Sequence, residues 1–245
     1  MNYLLYNKGS FLSARLLATL LGLKPTSNID KIKDGKVIIR YGNSFGNFDQ
    51  DTIINSAEAI KICSDSVKFS QWCKDNGFNT PEYLPFKFTE TITYPFLLRK
   101  KYHKQGKDII FVKSPDELNN LDDFEGKLYH VPYIEADIEL GIHLVNQKVV
   151  KLFKKILNEE NSTIIKNQDS CHYHIINNLE ENFQYAQELC ENLFKKIGLN
   201  FGRVDIAYNS INKRYIIWEV NTAPGLNKFT GDLYAKVLRE IIDVQ

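Results

Sequence analysis

The chain of 245 residues carries 31 Lys and Arg against 30 Asp and Glu, a formal charge of +1. That balance creates no field that would draw it to nucleic acid or to an anionic membrane. At this length a globular chain buries roughly 70–75% of its unfolded surface, enough for two or three small lobes. No run reaches the ~18 apolar residues of a membrane span, and the opening MNYLLYNKGS lacks a signal-peptide pattern. The four cysteines, Cys63, Cys73, Cys171 and Cys190, include no CxxC pair, so reduced thiols in a soluble cytoplasmic protein are the expectation.

In chain order, residues 3–6 read as a strand. Ser10 reads as an N-cap and residues 11–21 as an apolar helix closed by Gly22. A second strand, 36–41, leads into the loop Gly42-Asn43-Ser44-Phe45-Gly46. Helical periodicity then runs over 58–76 through Ile60, Val67, Phe69, Trp72 and Cys73, and stops at Gly77. Residues 94–100 read as a strand entering the basic run KKYHKQGKDI. Two further strands span 142–156 around an Asn146-Gln147 turn, with Lys151, Phe153 and Lys155 on one face. Cys171-His172-Tyr173-His174 has no second ligand pair at zinc spacing. Phe183, Ala186, Leu189, Cys190, Leu193 and Ile197 form an apolar helical face ended by Gly198, and residues 231–244 read as a closing helix.

Between these two helices lies the most informative stretch, FGRVDIAYNSINKRYIIWEVNTAPGL, residues 201–226. Both arms alternate and the intervening 209–213 has turn composition, so the stretch reads as an antiparallel hairpin. Strand alternation puts Arg203 and Asp205 on one face, with Glu219 and Asn221 beside them. Val204, Ile206, Tyr208, Ile216, Trp218 and Val220 are expected on the buried face. Asp, Glu and Asn supply only oxygen ligands, the set suited to a hard cation such as Mg²⁺. Arg203 can clamp an anion beside it. Past Asn221 the chain turns through Thr222, Ala223, Pro224 and Gly225, and Gly225 leaves its N–H open to a substrate oxygen.

The pattern Asp205 followed by Glu219-Val220-Asn221-Thr222-Ala223-Pro224-Gly225 resembles the metal-binding signature of the ATP-grasp superfamily of carboxylate-amine ligases. Arg203 is similar to the D-alanine:D-alanine ligase branch, and EVNTAPGL with Thr230 and Tyr234 to short glutamate-ligase-like members, including phage-borne ones. The resemblance implies an α/β chain of ATP-grasp fold: a small N-terminal α/β domain (1–62), a small lobe (63–131) and a large lobe with the metal site (132–245). The two lobes would sandwich ATP between antiparallel sheets.

The same resemblance implies Asp205, Glu219 and Asn221 as ligands of Mg²⁺ or Mn²⁺, and Arg203 with the Gly225 N–H as the catalytic groups. For ATP it implies Arg99, His103 and Lys107 at the phosphates, with Lys104 in reach, and Lys155 facing the transferred phosphate. Pro132, Tyr133 and Ile134 would form the adenine hinge, and Glu139 would meet the ribose. A Lys usual in the family falls on Ser66, where Lys68 is a substitute, and a common Arg falls on Gly141. The implied activity joins a carboxylate to an amine on a small molecule, amino acid, peptide or protein, with no membrane or nucleic-acid partner. Alternatives are a non-catalytic ATP-binding module and transfer of phosphate to a non-carboxylate acceptor.

Overall fold

The computed structural model describes residues 2–32, 36–48, 52–87, 92–100, 109–119, 128–157, 171–176 and 181–243. The amino-terminal unit is a parallel sheet. Strand β1 (Tyr3–Tyr6) is followed by helix α1 (Phe11–Leu21), β2 (Lys24–Thr26), β3 (Val37–Tyr41) and β4 (Thr52–Ile54), in the order β2-β1-β3-β4. Every residue of β3 is buried, as expected of a parallel strand covered on both faces. Ser10 makes no side-chain cap. Asn7 instead accepts from the Gly9 N–H and starts a short 3₁₀ turn that runs into α1. Gly22, at φ +67°, supplies the left-handed stop.

The periodicity over 58–76 resolves into two helices, α2 (Ala57–Cys63) and α3 (Ser66–Asp75). The break has a local cause: Asp65 is extended, at ψ 103°, and its carboxylate accepts from the Lys68 N–H, beginning a new helix. A second sheet, antiparallel, follows. It comprises β5 (Leu84–Pro85), β6 (Phe96–Lys100), β7 (Ile109–Val112) and, after helix α4 (Pro115–Asn119), β8 (Leu128–Pro132), ordered β5-β8-β6-β7.

Residues 133–137 carry the chain from β8 into the third and largest sheet. It is formed by β9 (Ile138–Val145), β10 (Lys148–Leu157), β11 (Cys171–Ile175), β12 (Phe201–Asn209) and β13 (Arg214–Asn221), in the antiparallel order β11-β10-β9-β12-β13. Helix α5 (Glu181–Ile197) precedes β12, and α6 (Lys228–Asp243) closes the described chain. Helix α6 starts before the expected residue 231, because Asn227 and Thr230 cap it reciprocally: Thr230 N donates to Asn227 Oδ1 (2.9 Å) and Asn227 N to Thr230 Oγ1 (3.0 Å).

One face of the large sheet is apolar. Leu140, Ile142, Leu144, Leu152, Val204, Ile206, Ile217 and Val220 pack there against Phe183, Ala186, Cys190, Leu193 and Phe194 of α5 and against Phe69 and Cys73 of α3. Val220 enters this core as expected, whereas the expected Ile216 and Trp218 do not. Asp205 pairs with Glu219 but Ile206 with Ile217, so Trp218 is an extra residue at a β-bulge. The bulge reverses the alternation on its N-terminal side, so Tyr215 and Ile217 enter the core instead.

The amino-terminal sheet is joined to the large one through a shared core of Leu4, Tyr41, Val145, Phe201, Tyr234 and Leu238, and through Asn55. That residue is fully buried at φ +65°. Its Oδ1 accepts from Asn200 N (2.7 Å) and Phe201 N (3.1 Å), and its Nδ2 donates to Phe201 O (3.1 Å). Asn55→Ala strands these buried groups at the start of β12 and is expected to cost about 3–5 kcal/mol. A chemical-denaturation curve of the variant measures that loss as a lowered midpoint.

Candidate functional site

The bulge and the register of the large sheet decide what lies on its other face. Across β10, β9, β12 and β13, Lys155 pairs with Glu139 and Phe153 with Gly141, Gly141 and Glu139 with Asp205 and Ala207, and Asp205 and Arg203 with Glu219 and Asn221. Because alternate residues share a face, Glu139, Gly141, His143, Lys155, Arg203, Asp205, Glu219 and Asn221 converge. Asp205 lies at the centre, 5% exposed. Its Oδ2 is 3.0 Å from Arg203 Nη2 and 3.3 Å from Lys155 Nζ, while Lys155 Nζ also lies 3.7 Å from Glu139 Oε2.

The electrostatics separate the two central carboxyls. Burial pushes Asp205 up, but Arg203 and Lys155 outweigh it and hold the group below the usual carboxylate range. Glu219 stays open to water, yet protein encloses it closely enough that lost hydration, and then Asp205, push its carboxyl above the ordinary value. Burial works against the charge on Lys155, but Asp205 and Glu139 override it and raise the ammonium. Asp205 above all raises the Arg203 guanidinium. Among the described residues, two buried atoms on this face have no hydrogen-bond partner: Asp205 Oδ1, an acceptor, and Arg203 Nε, a donor. A Cβ at Gly141 would stand 3.5 Å from that Oδ1 and 4.0 Å from that Nε, so the glycine leaves open the space beside both.

The other predicted residues are distributed as follows. Asn221 turns its Oδ1 to the Ala223 N–H (3.0 Å), which shapes the turn leading to Gly225. Gly225 is exposed, with no atom within 4 Å of where a Cβ would project. The Tyr41 hydroxyl donates to Pro224 O, and a Cβ at Gly42 would meet the Ala223 Cβ at 2.6 Å, so the loop 42–46 lies against this turn. Arg40 holds that loop by donating to Asn43 O, Phe45 O and Gly46 O.

Arg99 projects from β6 with 8% exposure, and its charge reaches Glu219. Its Nη1 donates to the Tyr83 hydroxyl at 2.7 Å. Lys68 is exposed on α3, and Ser66 is half-buried at the start of the same helix. Pro132 ends β8, and Tyr133 and Ile134 open the connection to the third sheet, where Tyr133 N donates to Pro95 O (3.2 Å). His103, Lys104 and Lys107 lie outside the described residues.

Sequence reasoning passed over two contributors. His143 pairs with Arg203 across the sheet and is 3% exposed. Its Nδ1 lies 2.9 Å from the Tyr234 hydroxyl, which donates to Gly202 O (2.8 Å), so the ring donates from Nδ1. Continuing the alternation from Glu139 through Gly141 would have found it. Tyr83 gave no such signal, since its partner is 16 residues away on another element.

No family model matches the chain. Over 157 residues, 63% of the chain, it is 25% identical to the Mycoplasma genitalium "Uncharacterized protein MG011", of which the match spans 51%, about half its length. Among solved structures, D-alanine–D-alanine ligase from Bacillus anthracis superposes with a TM-score of 0.72 at 15% identity, over 99% of this chain and 95% of that one. Its complex with ATP gives the same values. The ATP-grasp ligase PsnB, complexed with a minimal precursor, superposes with a TM-score of 0.69 at 10% identity over 100% and 99% of the two chains. The chain has the ATP-grasp fold. Among the described residues no ATP-grasp helix here is long and apolar enough to cross a membrane.

The state of His143 makes a measurable demand. Burial, and then Arg203, lower it to about 3, against ~6.5 in an unfolded chain. The unfolded state therefore binds the extra proton between those values, and stability falls as pH drops below 6.5. Between pH 7 and 5 this group alone removes about 2 kcal/mol. Urea unfolding at the two pH values should show His143→Asn losing less stability than the wild type by about that amount.

Proposed function

We propose that the chain is an ATP-dependent carboxylate-amine ligase that forms an amide through an acylphosphate and releases ADP and phosphate. The observation that carries this reading is the set of opposed charges on one sheet face: Asp205 and Glu219 in register, flanked by Arg203, Lys155 and, from the second sheet, Arg99. The fold shared with ligases, one of them solved with ATP, supports it.

The residues present fit a hard divalent cation. Asp205 Oδ1 is a buried acceptor without a partner, and Glu219 faces it across the hairpin with its carboxyl raised by lost hydration and by Asp205. Asn221 Oδ1 keeps a second lone pair beyond the one on Ala223 N–H. Asp205, Glu219 and Asn221 would hold Mg²⁺ or Mn²⁺, which neutralises phosphate charge when bound. Among the described residues no three His, Cys, Asp or Glu side chains cluster as a metal group, so two carboxylates and an amide are the complement here, with phosphate oxygens and water completing it.

The chain's own groups then divide the work. Bringing a carboxylate up to a polyphosphate sets anion against anion, and Arg203, Lys155 and Arg99, all largely buried, lower that repulsion. The substrate carboxylate oxygen attacks the terminal phosphorus and ADP leaves. An amine then attacks the acyl carbon and phosphate departs with the C–O bond electrons, while the amine's proton passes to solvent or phosphate. Arg203 and the open Gly225 N–H stabilise charge on the transferring phosphoryl group and on the tetrahedral oxyanion. Glu139, joined to Lys155, receives the ribose hydroxyls, and 132–134, the link between the two sheets, receives the adenine through the Pro132 carbonyl and Ile134 N–H. His103 and Lys107 remain phosphate contacts of this reading.

Screening amino acids and short peptides for Mg²⁺-dependent ADP release, with mass analysis of the product, tests the reaction class. An amide product is expected. Phosphate retained on the acceptor would instead mark a phosphotransferase, and ATP bound without turnover a binding module. Asp205→Ala and Glu219→Ala should each abolish turnover, since each removes a metal ligand, and wild-type rates in either variant would refute the assignment.

A further inference from the structure

Strand register orders the charged face of the large sheet into rows. Lys155 and Glu139 form one, Gly141, Asp205 and Glu219 the next, and Lys151, His143, Arg203 and Asn221 the third, running across β10, β9, β12 and β13. In the nucleotide reading the first row meets the ribose and the second the metal and phosphates. The third leads through Asn221 to the Gly225 turn and is therefore the substrate end. Lys151 lies along β10 about 13 Å from Lys155 by strand rise, at the opposite end of the face from the ribose row.

Charge is unevenly matched among these cations. Arg203 is bound to Asp205, and Lys155 to Asp205 and Glu139. Lys151, half-buried, has no carboxylate partner among the described residues. Its ammonium instead lies 5.0 Å from the ring centroid of Phe229, in the first turn of α6. An aromatic face attracts an ammonium but satisfies it less well than a carboxylate oxygen does. Phe229 is 52% exposed, so the pair stands at the open rim of the face, where α6 begins. Between Lys151 and Arg203, His143 is uncharged at neutral pH, since burial and then Arg203 lower it to about 3, and its Nδ1 is committed to Tyr234.

We propose that Lys151 is a specificity-determining residue that holds a second carboxylate of the substrate, one the reaction does not consume, so that the substrate is a dicarboxylate spanning Arg203 and Lys151. Two strand spacings separate these residues, about 10 Å at the backbone, and both side chains are long enough to converge on a compact molecule. The reacting carboxylate sits by Arg203 and the open Gly225 N–H, and the other pairs with the ammonium over Phe229. A substrate with an amide at that second position leaves the ammonium to the ring and water, and binds less tightly. This inference rests on the ligase reading above and narrows it to a substrate class.

Calorimetric titration of the protein with Mg²⁺ and a non-hydrolysable ATP analogue, and of that complex with succinate, glutarate and adipate, each beside its monoamide, tests it without reliance on turnover. The wild type should bind at least one diacid roughly tenfold more tightly than the matching monoamide, the effect of one hydrogen bond between charged groups. Lys151→Met keeps the length of the side chain and removes its charge. It should lose that preference while binding the ATP analogue as the wild type does, and Lys151→Arg should retain the preference. The proposal is overturned if the wild type prefers no diacid, if Lys151→Met keeps the preference, or if Lys151→Met weakens the ATP analogue and the diacid alike, which would make the residue a nucleotide contact. Failure of the wild type to bind the ATP analogue would overturn the nucleotide reading itself, whereas an analogue bound without diacid preference leaves that reading standing and overturns this one alone.

Discussion

Burying a carboxylate among cations on a sheet face is the constraint on which the rest of this molecule depends. Removing Asp205 from water is costly unless charge and hydrogen bonds replace the lost hydration. Arg203 and Lys155 supply both at one oxygen only, leaving the other without a partner. Glu219, in register on the next strand, is pushed the opposite way in its proton affinity. Such a pair is expensive in a resting protein and useful in one that binds a cation with its anions.

The fold supports that expense from behind. The apolar face of the five-stranded sheet is closed by α5 and α3, so the strands that carry the charged groups are fixed by packing rather than by the charges. Leu193 and Phe194 of α5 are fully buried, and a side chain of that kind contributes about 1.5–3 kcal/mol each. The bulge at Trp218 reconciles the two faces: it lets Tyr215 and Ile217 enter the core while Glu219 and Asn221 stay in register with Asp205 and Arg203. Tyr234, from α6, reaches the Gly202 carbonyl and His143 beneath Arg203, so the closing helix is tied to the site as well as to the amino-terminal sheet.

The sequence carried the hairpin because its information is local. Alternation over 203–208 and 215–221, turn residues between them and oxygen-bearing side chains on one face all point the same way. Hence the strands, the long amphipathic helix α5 and the convergence of Asp205 with Glu219 could be read from residues alone. The bulge could not, since one extra residue in a β-branched and aromatic run alters no composition, and that is why Trp218 was assigned to the core. The split between α2 and α3 had a readable cap at Asp65, which the stronger apolar periodicity on both sides masked. The Tyr83–Arg99 pair, and the packing of α3 against the large sheet rather than with β6, are tertiary facts that no spacing encodes.

The central claim is that metal-bound nucleotide sits on the shared face of β12 and β13. A structure of the chain with Mg²⁺ and a non-hydrolysable ATP analogue tests it most directly. The account predicts the ion between Asp205 Oδ1 and the Glu219 carboxylate, with the terminal phosphates near Arg203, Lys155 and Arg99. Nucleotide bound elsewhere, or phosphates held while both carboxylates keep their present contacts and no metal, would contradict it.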